Sequence, residues 1–426
     1  MGSIGIGIAG LGTVGSEVAR QLLKNKDFYK FKAGLNLELV ALSAKNKTKD
    51  RGFDTSKFQW IDNAANLYSN DKVDIVVELI GGQDGVPLEL CENALNNNKS
   101  IVTANKAMMS NHGYELAKLA EKNNVSIGFE AAVAGCIPII KSLRDGLSGT
   151  KINSISGILN GTCNYILTTM RESGRSFKDV LKEAQEKGYA EADPSFDIDG
   201  IDAAQKLILL SSIAFGIQPN NDNISIEGIK ELDVTDITFA EELGYRIKLL
   251  ALSEFNKKGL IQNVSPCMVS KDSQMSLVEG VLNAVEINSE LAGSILLTGF
   301  GAGDKPTATA VLSDIISVAQ NKTPLTFGIP ARDLSSETSI GKSGKNRYYI
   351  RINVLDKAGV LANVTEIFRE NNLSIESLIQ RGRNPNDVVP VVITTHETDE
   401  LIIKTVITKL KQTRELLSKP VSMKII

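Results

Sequence analysis

The chain has 426 residues, about two to three domains' worth, and needs neither disulfide nor metal to complete a core. Apolar residues make up 42%, charged residues 23%, and the formal net charge is −3, so a disordered chain and a basic nucleic-acid-binding stripe are both excluded. Four cysteines, none at CxxC spacing, and two histidines, His112 and His396, offer neither a disulfide scaffold nor a His/Cys zinc set.

In chain order, Ile4–Ala9 is a short apolar run that ends in Gly10-Leu11-Gly12-Thr13-Val14-Gly15. Val14, Val18 and Leu22 then repeat at spacing four, the mark of a helix. Leu37–Leu42, Val73–Ile80, Ile101–Thr103 and Val125–Phe129 read as further strands, with a helical stretch over Tyr114–Asn123. Strands alternating with helices predict an α/β, Rossmann-type doubly wound parallel sheet, covered on both faces. The run opens on a strand with no charged leader, and the expectation is a cytoplasmic protein.

Helices are expected in the middle over Ile137–Leu147, Asn164–Ser173, Phe177–Lys187 and Ile201–Phe215, and a strand over Ile261–Val269, giving an α+β second domain. The longest apolar run, Leu207–Ile217, is broken by Ser211 and Ser212 and falls short of the roughly 20 residues that a bilayer requires, so no membrane is expected. Ser335–Asn346 is Ser-, Gly- and Lys-rich and reads as a linker. Beyond it, strands at Tyr348–Val354, Ser374–Ile379, Val388–Thr395 and Val421–Ile425 alternate with helices at Val360–Glu370 and Leu401–Lys411. The order βαββαβ is ferredoxin-like, and this tail has its own apolar pattern and is expected to be separable.

The glycine motif follows a strand and opens a helix, the context in which GxGxxG carries weight. Gly10 permits the turn, Gly12 admits a pyrophosphate to the backbone and Gly15 lets helix and strand close up; a purely structural turn is the alternative. The second strand ends without the acid that selects NAD, and Lys45, Lys47, Lys49 and Arg51 follow. That loop suits the 2′-phosphate of NADP, or is merely a solvated charged segment, with NAD tolerated.

The densest stretch of polar chemistry is Gly188–Lys206. It holds five carboxylates, and Asp202 and Lys206 stand at i and i+4 where a helix enters apolar surroundings, which suits proton transfer or an ordinary salt bridge. Asn160-Gly161-Thr162-Cys163-Asn164 precedes a helix, for which Thr162 is the expected cap and whose first-turn N–H groups equally suit a substrate carboxylate. Thr103-Ala104-Asn105-Lys106 stands at the C-terminal end of a strand, the edge at which open α/β sheets bind ligands.

Together these residues resemble homoserine dehydrogenase in its single-activity form with a C-terminal ACT domain, over nearly the whole chain. Ala184–Lys206 fits the family signature, and the Gly10–Gly15, Thr103–Lys106 and Asn160–Thr162 segments match too. The resemblance implies a dinucleotide-binding domain over 1–135 with a return segment at about 300–334, a catalytic, substrate and dimerisation domain over 136–300, the linker 335–346 and an ACT domain over 347–426. It implies that Thr13 and Val14 contact the dinucleotide, that the Gly301–Gly303 loop returns to it, and that Lys106 lies beside nicotinamide and substrate. Glu191, Tyr189 and Asp197 would bind the substrate ammonium, Gly161 and Thr162 would line its pocket, and Asp202 and Lys206 would handle the hydroxyl proton. Glu130, Val133, Gly135 and Ile137 match a monovalent-cation site for Na+. The implied reaction interconverts L-homoserine and L-aspartate 4-semialdehyde, with threonine as the natural ACT effector in a homodimer or homotetramer. The ACT turn Asp356–Ala362 carries Ala358 where proline is usual. A non-catalytic dinucleotide and amino-acid sensor is the competing reading.

Overall fold

The computed structural model describes residues 2–256, 259–322, 325–336, 341, 344–381 and 388–426. The N-terminal sheet holds β1 (Ser3–Ala9), β2 (Asn36–Ser43), β3 (Gln59–Trp60), β4 (Ile75–Glu78), β5 (Ser100–Thr103) and β6 (Ile127–Gly128). All pairs are parallel, in the order β3-β2-β1-β4-β5-β6. This is the Rossmann order, with its crevice where the winding reverses between β1 and β4.

The strands are apolar throughout because both faces are covered. Ile6 and Ile8 face Val18 and Leu22 of the helix Thr13–Lys24 and Ala308, Val311 and Ile315 of the late helix Asp304–Ala319. Ala9, Val76 and Ile101 face the helices Val86–Asn96 and Lys106–Lys122 through Leu90, Met108 and Leu116. Chain that leaves for the middle of the molecule thus returns to close this layer.

Four elements differ from the sequence expectation, the shortest being the strand expected over Val125–Phe129, which is confined to β6. The strand expected over Val73–Ile80 is confined to β4, since Ile80 and Gly81 turn to donate to Glu78. The helix expected over Tyr114–Asn123 begins at Lys106, where the Asn105 side chain accepts from the Met108 N–H. The helix expected over Ile137–Leu147 shrinks to Ile139–Lys141 followed by a π-turn at Ser142–Gly146, because Pro138 and the tight Ala134–Gly135 bend precede it.

The second sheet runs through both remaining parts of the chain. It contains β7 (Ile152–Ile158), β8 (Ser225–Ile226), β9 (Tyr245–Asn256), β10 (Gly259–Ser270), β11 (Leu282–Ser289) and β12 (Gly293–Phe300). The tail adds β13 (Arg347–Leu355), β14 (Ile375–Gln380), β15 (Val388–Thr395) and β16 (Val421–Ile425). The order is β12-β11-β7-β9-β10-β16-β13-β15-β14, with β8 beside β10. Within the tail the arrangement is the ferredoxin-like one, with helices Val360–Glu370 and Glu400–Leu410 over a core of Ile350, Ile352, Phe368 and Val391.

The tail is therefore docked edge to edge on the sheet of the middle region, not tethered beside it. The seam is short, pairing Cys267 with Lys424 and Met268 with Ile425 in parallel. It is reinforced by Arg351, which donates to both oxygens of Asp236 at 2.7 and 2.9 Å, and by the Tyr349 hydroxyl, which donates to the same carboxylate at 2.9 Å. Of the linker, residues 337–340 and 342–343 lie outside the described residues. Ser335 bridges to Ile217, and Asn346 to Thr398. Among the described residues no helix is long and apolar enough to cross a membrane.

Candidate active site

At the C-terminal ends of the first sheet's strands, backbone groups gather. Gly10 has φ +95°, and a side chain there would collide with the Leu79 carbonyl; a Cβ on Gly15 would lie 1.9 Å from the Gly10 oxygen. Over Gly12 the space is open. Gly12 begins the helix Thr13–Lys24 without a side-chain cap, which leaves the first-turn N–H groups available to an anion; Thr13 is exposed and Val14 half-buried. Gly303, with φ +119°, begins the adjoining helix Asp304–Ala319, again uncapped by a side chain. A dinucleotide's pyrophosphate fits this turn: backbone donors, no Cβ in the way, and positive helix ends.

Beyond β2, Lys45, Lys47 and Lys49 are exposed. Arg51 is instead buried; it donates to the carbonyls of Lys49 and Asn46 and lies over the Trp60 ring, which also receives Lys47. Arg51 thus organises the loop, while the lysines supply its open charge.

After β5, a buried carboxylate sets the next turn. Glu78 accepts from Ile80 N, Gly81 N and the Thr103 hydroxyl, at 2.7, 3.1 and 2.6 Å. Thr103 in turn accepts from Asn105 N, and the Asn105 side chain donates to Gly82. This network fixes the start of the helix on which Lys106 is the first residue.

From the second domain, the helix Ile201–Phe215 starts at Gly200 and enters an apolar core through Leu207, Leu209 and Leu210. Its first turn carries Asp202 and Lys206 on one face. Lys206 Nζ donates to Asp202 Oδ2 at 2.8 Å and to the Leu159 carbonyl at 2.7 Å. Lys106 Nζ reaches Asp202 Oδ1 at 3.1 Å and lies over the Phe196 ring. Asp202 thus joins the two domains between two ammonium groups. Burial pushes its carboxyl upward, but Lys206 and Lys106 outweigh that and hold it at about 2.

Asn160, which sequence reasoning left as a neighbour of the candidate residues, stands at the centre. Its amide donates to Asp202 Oδ2 and to Asp197 Oδ1, both at 2.8 Å, while its carbonyl oxygen caps the helix Gly161–Ser173 at Cys163 N. An Asn immediately before a helix-opening Gly was the available signal. Asp197 is half-buried, and desolvation raises its carboxyl above the usual range despite the Asn160 bond. The Thr162 hydroxyl donates to the Tyr189 carbonyl at 2.7 Å, which ties the Gly188–Asp193 loop to the same helix start. Tyr189 packs edge-on against Tyr165. Glu191 is exposed, and its side chain makes no ion pair among the described residues. Phe196 and Glu78 are further residues missed from sequence; each acts on Lys106 from a distant segment.

Glu130 follows β6 and is 3% exposed; its carboxylate accepts from Ile140 N and Lys141 N at 2.8 and 2.9 Å. Burial, and then the nearby Asp314 charge, push it up to about 7, while the two N–H bonds and Lys141 act against this. Val133, Gly135 and Ile137 share its loop. Ala134 and Gly135 are consecutive left-handed residues, and Gly135 lies against the Gly301 backbone with no space for a Cβ.

Comparison with known proteins finds relatives along the whole chain. A homoserine dehydrogenase NAD-binding domain model matches residues 10–130, a homoserine dehydrogenase model matches 138–316, and an ACT domain model matches 348–415. The homoserine dehydrogenase of Neisseria gonorrhoeae is 41% identical, covering 99% of this chain and 98% of its own length; that of Helicobacter pylori is 39% identical over 98% and 97%. The crystal structure of a homoserine dehydrogenase from Thiobacillus denitrificans superposes with a TM-score of 0.92 at 37% identity, over 100% of this chain and 99% of that one. A hyperthermophilic archaeal homoserine dehydrogenase in complex with NADPH gives 0.65 at 30% identity, over 76% and 100%. With the nucleotide turn, the catalytic sheet and the tail all accounted for, the chain belongs to the homoserine dehydrogenase family.

Proposed function

We propose that the chain interconverts L-homoserine and L-aspartate 4-semialdehyde at the Lys106–Asp202–Lys206 cluster. The observation that carries this reading is the buried Asp202 carboxylate, held between two lysines from two domains at 3.1 and 2.8 Å. When bound, the nicotinamide dinucleotide supplies a hydride acceptor or donor. The residues that would hold it are Gly10, Gly12, Thr13, Val14 and Gly15 in the first turn and Gly303 in the second.

Lys206 has its ammonium fixed by Asp202 and Leu159, which uses two of its three donors and leaves one for the substrate oxygen. In the reducing direction the Lys206 ammonium gives the proton that completes the hydroxyl and becomes the neutral amine; in the oxidising direction that neutral amine takes the hydroxyl proton and becomes the ammonium. Asp202, ionised throughout, keeps Lys206 and Lys106 in place and offsets one of their two charges. Lys106 also offers a donor toward the reacting oxygen. Asp197, Glu191 and Tyr189 are the residues for the substrate ammonium, and the N–H groups at Gly161 and Thr162 suit its carboxylate.

NADP as the preferred dinucleotide is supported by the exposed Lys45, Lys47 and Lys49 and by the NADPH complex of the archaeal relative. A monovalent cation, Na+, at Glu130, Val133, Gly135 and Ile137 is supported by a buried carboxylate beside a loop of sharply turned carbonyl groups. Threonine regulation is supported by the ACT domain and by a cavity of about 220 Å³ at its Asp356–Gly359 turn. A homodimer is supported by β12, which ends the second sheet and leaves Phe300 and the adjoining Leu291 exposed. The domain limits 1–135, 136–300 and 347–426 and a cytoplasmic location complete the reading.

The test is the absorbance of the reduced nicotinamide with homoserine and either dinucleotide. Turnover with homoserine, and a larger loss with NADP than with NAD in Lys45→Glu, supports the reading. Dinucleotide binding without turnover favours the sensor alternative.

A further inference from the structure

We propose a second ligand site, for a small organic dianion, in the cleft between the tail and the catalytic sheet. The cleft measures about 420 Å³, within the size range of small-molecule pockets. One wall comes from β8, β10 and Glu227, the other from the helix Glu400–Leu410 and the Lys411–Lys424 segment. An occupant would touch both sides of the two-residue seam.

The charge of the lining argues for an anion. Lys404, Lys411, Lys419 and Lys424 face Glu227 and Glu400. Glu400 is shared by Lys404 at 2.7 Å and Lys424 at 2.9 Å, so one carboxylate serves two ammonium groups. Lys419 has only a distant partner, Glu231 at 3.7 Å, and Lys411 has no ion pair among the described residues. Four positive groups against two carboxylates leave a surplus of two charges.

Tyr348, on β13, is 3% exposed and forms part of the wall, with its hydroxyl sealed from the cleft beside Asn346. The lysine charges suit a phosphomonoester or a dicarboxylate. The two share the dianionic chemistry and differ in geometry.

The test is calorimetric titration of the full chain with its dinucleotide site saturated, so that phosphate cannot report on that site. Phenyl phosphate and succinate are the two dianions; butyrate is the singly charged control. The expected result is saturable binding of one dianion per chain, at least about tenfold tighter than butyrate. Lys411→Met and Lys404→Met should each weaken it about tenfold, the effect of one lost charge-assisted bond. The stronger of phenyl phosphate and succinate identifies the ligand's chemistry. Absence of saturable binding by either dianion would overturn the proposal, as would binding that neither lysine substitution changes. Because the readout is binding alone, the result does not depend on the catalytic assignment.

Discussion

Arg351→Met tests the docking of the tail. In the structure Asp236 is fully buried and holds four partners: two Arg351 nitrogens at 2.7 and 2.9 Å, the Tyr349 hydroxyl and the Asp233 N–H. Arg351 is itself 4% exposed and also meets Asp233 at 3.1 Å. Removing the guanidinium strands a carboxylate with only the hydroxyl and the N–H, a loss of about 3–5 kcal/mol for a broken buried pair. What remains is two residue pairs of parallel sheet, the apolar packing of Tyr349, Val421 and Met423 and the Arg347–Tyr245 and Arg381–Glu242 contacts, none of which pairs the stranded charge. The undocked population should rise by about 10²–10³, at about 1.4 kcal/mol per factor of ten. Amide exchange reads this directly, because Ile426 N donates to the Met268 carbonyl and Ser270 N to the Ile426 carbonyl across the seam. Those amides should exchange faster in the variant by that factor, while amides of β1 and β4 stay protected. Arg351→Met combined with Asp236→Leu should recover most of the protection, since no charge is then left unpaired. Unchanged exchange at Ile426 in the single variant would refute the reasoning.

Other consequences are as direct. Lys248 is 2% exposed, and burial lowers its ammonium to about 8 although Glu279 acts against this. A folded value below the ordinary one disfavours the protonated folded state, so the penalty, about 3 kcal/mol, is full below pH 8 and fades as pH rises toward 10. Urea midpoints from pH 7 to 10 should therefore rise for wild type relative to Lys248→Met; parallel curves would contradict this. Glu78→Ala removes all three bonds that set the Thr103–Lys106 turn and should lower kcat by about 10²-fold through misplaced Lys106, with Glu78→Gln recovering part of it. Sodium chloride should raise the melting temperature of wild type above that in choline chloride at equal ionic strength, by about 2–4 °C per kcal/mol of binding, and the difference should vanish in Glu130→Gln.

Much of this was legible from residues alone where the signal is local. The glycine turn, the helix Ile201–Phe215 and the tail's βαββαβ order follow from periodicity and turn chemistry, and the structure reproduces them. What escaped depends on chain returning from afar. The helix Asp304–Ala319 shows its meaning only when packed beside β1. Glu78 reads as one acid at a strand end until Thr103, 25 residues later, comes to bind it. The polar linker suggested an independent tail, because composition reports how a segment is solvated and not what its flanks touch. The Arg351–Asp236 pair spans 115 residues and leaves no periodic trace. The cap was expected from Thr162, but Asn160 provides it, and its second role, dividing one amide between Asp197 and Asp202, is a fact of three dimensions.

The central claim is that the buried Lys206, held by Asp202, moves the hydroxyl proton. The direct measurement is turnover of homoserine by Lys206→Ala beside the dissociation constant of the dinucleotide in the same preparation. Turnover should fall by about 10²–10⁴, the worth of a positioned general acid–base, while dinucleotide affinity stays at the wild-type value because the glycine turn lies in the other domain. Turnover near wild type in a folded Lys206→Ala protein would contradict the account.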